Sequence, residues 1–226
     1  MSGGTGTEPD VMRLATEERL DLADFLDTLA PAQWEAPSLC QDWSVRDVVA
    51  HVVSYEELGM TGLLTRRLKA VGRGGSNEVG RAEYAGRSPA DLTAFLRAHA
   101  RPQGLTSWFG GAIALTDGLI HHQDIRRALG APRTVPAERL LAALGFALRS
   151  PKLPSRKDTR GLRLVATDLD WSHGSGPEVT GTGEALLMAI AGRPAPVPEL
   201  DGAGASVLAQ RVRARGERSS DSHSGR

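Results

Sequence analysis

Apolar residues recur at helical spacing through the first two-thirds of the chain. They follow one face over residues 9–29, and Pro31 ends this predicted helix. A second helix begins after Ser44, an N-cap residue with an acidic partner, Asp47, three positions on, and its apolar pattern extends over residues 45–68. Three more helices are predicted at 88–100, 111–129 and 137–148.

The pattern changes after residue 150. Residues 151–160 are charged, contain proline and are predicted to be a linker. Beyond them, alternation predicts a strand at 161–167, a short second strand at 177–181 and an apolar helix at 182–191. The termini, 1–8 and 212–226, are polar and predicted to be disordered. The chain is therefore expected to be α+β, with a helical bundle at 9–150 and a small C-terminal domain at 161–211.

Composition excludes several classes of protein. The 226 residues include 27 Lys and Arg and 27 Asp and Glu, so the balanced charge gives no sign of a nucleic-acid partner. No apolar run reaches membrane-spanning length, and a cytoplasmic monomer or homodimer without a membrane partner is expected. The single cysteine, Cys40, excludes an internal disulfide and a cysteine-rich zinc module, and is expected to pack against the bundle.

Three residues form a split set of candidate metal ligands: His51, Asp117 and His121. Asp117 and His121 stand four positions apart, so helical geometry places their side chains on one face, one turn apart. With His51 from a neighbouring helix, they would form a three-ligand site with a free coordination position, the arrangement of catalytic zinc. The alternative interpretation is a hydrogen-bonded core histidine and an ordinary surface pair of Asp and His.

Two further polar residues lie beside His121. His122 points about 100° away on the same helix, so it is expected to be exposed or to lie outside the ligand shell. Asp124 could orient a ligand imidazole through its second ring nitrogen, as outer carboxylates do in metal sites. The alternative for Asp124 is an ion pair with Arg127 or Arg46.

Two segments carry a resemblance to a known family. They are WEAPSLCQDWSVRDVVAH at residues 34–51 and DGLIHHQDIRRALG at residues 117–130. Together they resemble the mycothiol-dependent maleylpyruvate isomerase family of the DinB-like metalloenzymes. The C-terminal part, from 161 to 193, is similar to the small α/β domain of that family.

The resemblance implies a bundle of four main helices that holds a divalent metal, usually zinc. In the family a His, an acidic residue and a second His are the ligands, and these fall on His51, Asp117 and His121. The acidic ligand of the family is typically Glu, and Asp117 is one methylene shorter. Either the helices lie closer together, or the metal is held more weakly, or the carboxylate acts through water.

The resemblance also implies the chemistry. The expected function is that of a zinc-dependent enzyme with mycothiol as cosubstrate. It would either isomerise a small electrophilic substrate or transfer the thiol to it. No protein side chain is assigned as catalytic, because the reacting group is a metal-activated thiolate or water. One alternative is a metal-dependent hydrolase whose bound water has a pKa of about 7. The other is a non-enzymatic protein that binds a metal or a small ligand.

Overall fold

A computed structural model describes residues 10–56, 58–70 and 75–224, without the side chains of Met60 and of residues 218–224. The predicted disorder of residues 1–8 lies outside these described residues. Contacts divide the chain into two compact units, one up to His121 and the other from His122 onward. The predicted division at the 151–160 linker stays a prediction.

The first unit is helical. Its elements are α1 (Val11–Leu26), α2 (Pro31–Trp34), α3 (Val45–Val53), α4 (Met60–Lys69), α5 (Ser76–Tyr84), α6 (Pro89–Ala98), a 3-10 segment (Gly104–Gly111) and the first part of α7 (Ala112–Ala128). Helix α1 packs against α6, and α3 packs against both α5 and α6. Fully buried leucines and valines, among them Leu14, Leu22, Val48, Leu92 and Leu119, form the core of this unit.

Helix α3 begins where the sequence predicts it. The Ser44 hydroxyl accepts a hydrogen bond from the Asp47 amide at 3.2 Å, and the Asp47 carboxylate accepts one from the Ser44 amide at 3.0 Å. This reciprocal pairing satisfies two amides that the first helical turn leaves free. The capping box that starts α6, formed by Ser88 and Asp91, has the same pattern.

The prediction of one continuous helix over 45–68 is wrong. Helix α3 ends at Val53, and α4 begins only at Met60. The amide and the hydroxyl of Ser54 both donate to the His51 carbonyl, at 3.1 and 2.9 Å, and so close the last turn. A guanidinium nitrogen of Arg66 on α4 lies 3.2 Å from the Ser54 hydroxyl oxygen. The chain therefore folds back, and α4 returns to the end of α3.

The cap at Asp47 makes the stability of the first unit depend on pH. Desolvation raises the pKa of Asp47, but hydrogen bonds from Arg81 and Ser44 outweigh it and hold the pKa below the ordinary 3.8. A lowered pKa stabilises the folded chain at pH values above the ordinary pKa of the group. This contribution is lost as the pH falls through the pKa of the folded state.

The Asp47→Asn variant is therefore expected to lower the free energy of unfolding by about 1 kcal/mol at pH 7. The difference from the unmodified chain should shrink as the pH falls below 3.8, and urea unfolding at several pH values measures it. Asp91→Asn is the matched control, because Asp91 is the exposed partner of Ser88 in the other capping box, whereas Asp47 also accepts a hydrogen bond from the Arg81 guanidinium at 2.8 Å. A pH-independent effect at Asp47 would contradict the assignment.

The second unit contains helices and a small sheet. After α7 come α8 (Ala137–Arg149), α9 (Ser155–Asp158), β1 (Arg163–Ala166), β2 (Ser172–Gly174), β3 (Glu178–Gly181), α10 (Gly183–Ile190), a 3-10 turn (Val197–Glu199) and α11 (Ala205–Ser224). The strand order is β2-β1-β3, with β1 antiparallel to β2 and parallel to β3. Leu164 and Val179 are paired across β1 and β3 and are fully buried, and α10 packs on both strands and on α8.

Two elements of the second unit differ from the sequence-based expectation. Strand β2 lies where the sequence indicated no strand, because its three residues are exposed and show no alternation. Gly174 at its end has φ 84°, and a Cβ there would lie 2.3 Å from the Leu162 carbonyl oxygen, so only glycine fits. Helix α11 continues to Ser224, where 212–226 was predicted to be disordered. Arg211 and Arg215 bind the carbonyl and the carboxylate of Asp158 and hold α11 there.

The predicted fold class is confirmed. A helical bundle is followed by a small part that combines helices with a three-stranded sheet. Among the described residues, no helix combines the length and the apolar character that crossing a bilayer requires.

Candidate metal site

His51 lies in the last turn of α3, and its side chain is only 7% exposed. The capping box fixes where α3 begins, and the apolar residues that precede His51 bury the helix. As a result the imidazole is held at the inner end of a short, well-anchored helix.

Asp117 and His121 occupy successive turns of α7, as their spacing predicts. One carboxylate oxygen of Asp117, Oδ1, lies 3.6 Å from His121 Nε2 and 3.8 Å from His51 Nε2. The three side chains each direct a donor atom at the others, and these atoms lie within 4.8 Å of one another. The structure therefore brings together the three residues that the sequence singled out.

The spacing of these donor atoms fits a tetrahedral metal. Ligands about 2.0–2.1 Å from a zinc ion in tetrahedral geometry lie roughly 3.3–3.4 Å from one another. The distances from Asp117 Oδ1 to the two imidazole nitrogens, 3.6 and 3.8 Å, are slightly longer than that edge. The shorter Asp side chain thus lies close to both histidines, and all three donor atoms are within 4.8 Å of one another. Two imidazoles and one carboxylate form a donor set suited to zinc.

Electrostatics keeps Asp117 ionised. Desolvation raises its pKa, but the His121 and His51 imidazoles and the more distant Arg19 guanidinium outweigh this and hold the pKa well below the ordinary 3.8. A metal ligand must be deprotonated when it binds. The Asp117 carboxylate is therefore ready to bind a cation at any pH near neutrality.

Aromatic rings surround the two imidazoles. The Trp43 ring lies 5.2 Å from the His51 ring and stacks on the His121 ring at 6.5 Å, between centroids. Tyr55 meets His51 edge-on at 5.8 Å. Trp43 is itself held by a hydrogen bond of 3.1 Å from its indole nitrogen to Glu78. Such contacts limit the rotation of both imidazoles and keep water from their faces.

The Tyr55 hydroxyl stays protonated near neutral pH. Burial raises its pKa, Arg66 opposes this increase, and the charge of Asp117 adds to it. The hydroxyl donates to the Asn77 side-chain oxygen at 2.7 Å. Tyr55 is therefore a neutral wall of the site and is not a candidate anionic ligand.

The two histidines differ at their second ring nitrogen. Nδ1 of His51 is buried and has no hydrogen-bond partner among the described residues. Nδ1 of His121 lies 3.6 Å from the sulfur of Cys40. A buried ring nitrogen without a partner carries a desolvation cost. Because Nε2 is the nitrogen that faces Asp117, a metal bound there would not relieve this cost, and the fit of His51 to a metal rests on the position of Nε2.

Sequence reasoning missed part of this environment. Cys40 was expected only to pack against the bundle, yet its sulfur and the Trp43 ring both lie against the candidate ligands. Tyr55 was not singled out at all. Its position four residues after His51 is the signal that could have identified it, because the side chains of residues four apart are neighbours on a helix or its extension.

His122 and Asp124 have partners of their own in the second unit. His122 is fully buried, which corrects the expectation of exposure, and its Nε2 accepts a hydrogen bond from Arg126 at 2.8 Å. Asp124 is also fully buried, and Arg193 binds both of its oxygens at 2.7 Å. A bidentate pair of this kind is among the strong contacts that a carboxylate makes with a side chain. An outer role for Asp124 toward His121 stays a prediction.

The alternative ion pairs of Asp124 are not the ones found in the structure. Arg127 binds Glu184 and Glu199, and Arg46 binds Glu35. The expectation that Asp124 pairs with an arginine is right in kind, but the arginine is Arg193, which is far away in sequence.

Comparisons with known proteins complete the description. The family model of the mycothiol maleylpyruvate isomerase N-terminal domain matches residues 15–144, more than half of the 226-residue chain. Two solved structures are similar in fold: a mycothiol-dependent maleylpyruvate isomerase, at 16% identity, and a histidine-to-alanine mutant of a mycothiol-dependent maleylpyruvate isomerase, at 17% identity. Each alignment has a TM-score of 0.55 and covers 86% of this chain and 92% of the matched chain. The comparison with curated proteins found no match.

Proposed function

Because the chain belongs to the family of the mycothiol maleylpyruvate isomerase N-terminal domain, we propose that it is a zinc-dependent enzyme with mycothiol as its cosubstrate. Its substrate is a small electrophile, and its reaction is an isomerisation or the transfer of the thiol. His51, Asp117 and His121 hold the metal. The observation that carries the proposal is the convergence of their donor atoms within 4.8 Å.

The chemistry follows from three protein ligands and one open position. When bound, zinc supplies a Lewis acid that holds a low-molecular-weight thiol as its thiolate near neutral pH. The side chains of His51 and His121 contribute neutral nitrogen donors, and Asp117 contributes one negative charge. A net positive centre remains, which favours the binding of an anionic sulfur.

An isomerisation needs only the thiol and the substrate. The sulfur of the thiolate adds to one carbon of an activated cis double bond, and the electron pair of that bond moves to the activating carbonyl. Rotation about the resulting single bond follows. Expulsion of the sulfur then restores the double bond in the trans form and returns the thiol unchanged. Transfer of the thiol would stop after the addition and take up one proton.

The residues around the ligands have supporting roles in this proposal. Trp43 and Tyr55 fix the planes of the imidazoles, so that both Nε2 atoms keep facing Asp117. Their rings also cover the two imidazoles, whose side chains are 7% and 10% exposed, and so limit the approach of water to the ligand nitrogens.

The test is a metal analysis followed by a thiol titration. The purified chain is expected to bind about one equivalent of zinc per chain. Replacing zinc by Co²⁺ gives a visible spectrum, and the addition of mycothiol should then produce a new sulfur-to-metal absorption band. The His51→Ala variant is the matched control, because it removes one ligand from a helix that the capping box still anchors.

Each outcome separates the proposal from its alternatives. A chain that binds no zinc would contradict the metal site. A zinc-loaded chain whose cobalt spectrum does not respond to mycothiol, but which cleaves an ester or amide substrate without a thiol, would support the hydrolase instead. A response to mycothiol in the His51→Ala variant equal to that of the unmodified chain would remove His51 from the ligand set.

A further inference from the structure

We propose that Cys40 is a positioning residue for His121: its sulfur accepts a hydrogen bond from His121 Nδ1 and orients the imidazole toward the metal. This inference rests on the proposed function, because it concerns the outer contact of one of the three metal ligands. It gives the chain's single cysteine a role in the site without making it a ligand.

The two nitrogens of His121 face different partners. Nε2 lies 3.6 Å from Asp117 Oδ1, on the side of His51. Nδ1 lies 3.6 Å from the sulfur of Cys40, a distance suited to a hydrogen bond that involves sulfur. A ring that coordinates a metal through Nε2 carries its proton on Nδ1 and donates it to an outer acceptor. Cys40 sulfur stands where that acceptor is needed.

The segment that carries Cys40 is well anchored. The Ser38 hydroxyl oxygen accepts a hydrogen bond from the Cys40 amide at 3.1 Å and donates one to the Trp43 carbonyl at 2.9 Å. The Trp43 amide donates in turn to the Cys40 carbonyl at 3.1 Å. A bridge between Pro37 and Ser44 joins the two ends of this turn just before α3 begins. The position of the sulfur is therefore set by the same turn that starts the His51 helix.

Trp43 adds a second restraint from the same turn. Its ring stacks on His121 with an angle of 23° between the planes, whereas the sulfur of Cys40 meets the ring nitrogen. Stacking alone allows the imidazole to turn within its own plane or to flip by 180°. A hydrogen bond to Nδ1 removes that freedom, because the flipped ring would present carbon to the sulfur. Cys40 thus selects the orientation that presents Nε2 to the metal.

The experiment compares two substitutions of similar size. Cys40→Ser keeps an acceptor atom, whereas Cys40→Val fills the space without one. In the unmodified chain and in both variants, zinc affinity is measured by competition with a chelator, and the His121 Nδ1 proton is followed by NMR in the zinc-loaded form. Loss of an outer partner typically weakens zinc binding by about 10–100-fold. We expect Cys40→Val to lose about tenfold and Cys40→Ser to stay near the unmodified chain.

The NMR measurement distinguishes positioning from packing. The Nδ1 proton should exchange slowly with water in the unmodified chain and in Cys40→Ser, and rapidly in Cys40→Val. Circular dichroism confirms that each variant is folded. Equal affinity and equal exchange in Cys40→Val and the unmodified chain would overturn the inference while leaving the zinc site intact. A sulfur-to-metal band in the cobalt form before any thiol is added would also overturn it, because Cys40 would then be a ligand. A chain without zinc would overturn the proposed function as well.

Discussion

The Asp117→Ala variant is expected to purify without zinc while it keeps its helical content. Asp117 supplies the only negative charge among the three candidate ligands, and its Oδ1 is the atom that faces both imidazoles, at 3.6 and 3.8 Å. Without it, two neutral nitrogens remain to hold a divalent ion. The loss of affinity should exceed the roughly 10–100-fold that removal of an outer partner causes. Metal analysis and a chelator competition measure it.

Two further substitutions at the same position make this test specific. Asp117→Asn keeps the shape but removes the charge, and should lose most of the affinity. Asp117→Glu restores the residue that is usual in the family, and should retain zinc or bind it more tightly. Because 44% of the Asp117 side chain is exposed, none of these changes is expected to leave a cavity in the core. Stoichiometric zinc in Asp117→Ala would show that Asp117 is an ordinary helix-surface residue.

The resemblance to the family and the α+β fold class are the parts of the sequence-based expectation that are confirmed. Both rest on local signals. Helical periodicity and the Ser44 and Ser88 caps define the beginnings of α3 and α6, because a capping box acts within four residues. The spacing of Asp117 and His121 similarly fixes their common face of α7 before any tertiary contact is known.

The contacts around the ligands depend on tertiary structure, and sequence spacing does not reveal them. Cys40 and His121 are 81 positions apart, and no periodic pattern relates them. The end of α3 at Val53 escaped notice for a different reason, since apolar residues at helical spacing resume in α4 after a short gap. A serine hydroxyl that closes a helical turn is a weak signal beside the apolar residues on either side of it.

Long-range pairing also explains the polar residues of the second unit. Asp124 could be recognised as a carboxylate that needs a partner, but Arg193 lies 69 positions later, beyond the reach of any helix-face argument. In the same way, Arg211 and Arg215 look like part of a solvated tail until Asp158 is placed beside them. The balance between a disordered and a helical C-terminus is decided by these contacts and by the burial of Leu208 and Val212.

The second large effect is expected from a buried ion pair in the first unit. Arg19 and Glu56 are 2% and 1% exposed, and one guanidinium nitrogen lies 2.5 Å from a carboxylate oxygen. Arg19 also donates to the His99 carbonyl at 2.9 Å. Glu56 accepts from the Thr106 hydroxyl at 2.9 Å and from the Gln103 amide at 3.2 Å. Each charge thus has its partner and further hydrogen bonds, which is the condition under which buried ions are tolerated.

Glu56→Gln is expected to lower the free energy of unfolding by about 3–5 kcal/mol, because it leaves the Arg19 charge buried without its counterion. The double variant Arg19→Met with Glu56→Gln removes that isolated charge, so it should recover a large part of the loss. Urea unfolding of the single and double variants measures both effects, and Arg97→Met is a control for an exposed arginine whose ion pairs, with Asp24 and Asp27, lie at the surface. If the double variant were less stable than Glu56→Gln by the whole loss that Arg19→Met causes alone, the two side chains would not be coupled. The buried pair would then contribute through packing and its separate hydrogen bonds, and the charge of Arg19 would have no special dependence on Glu56.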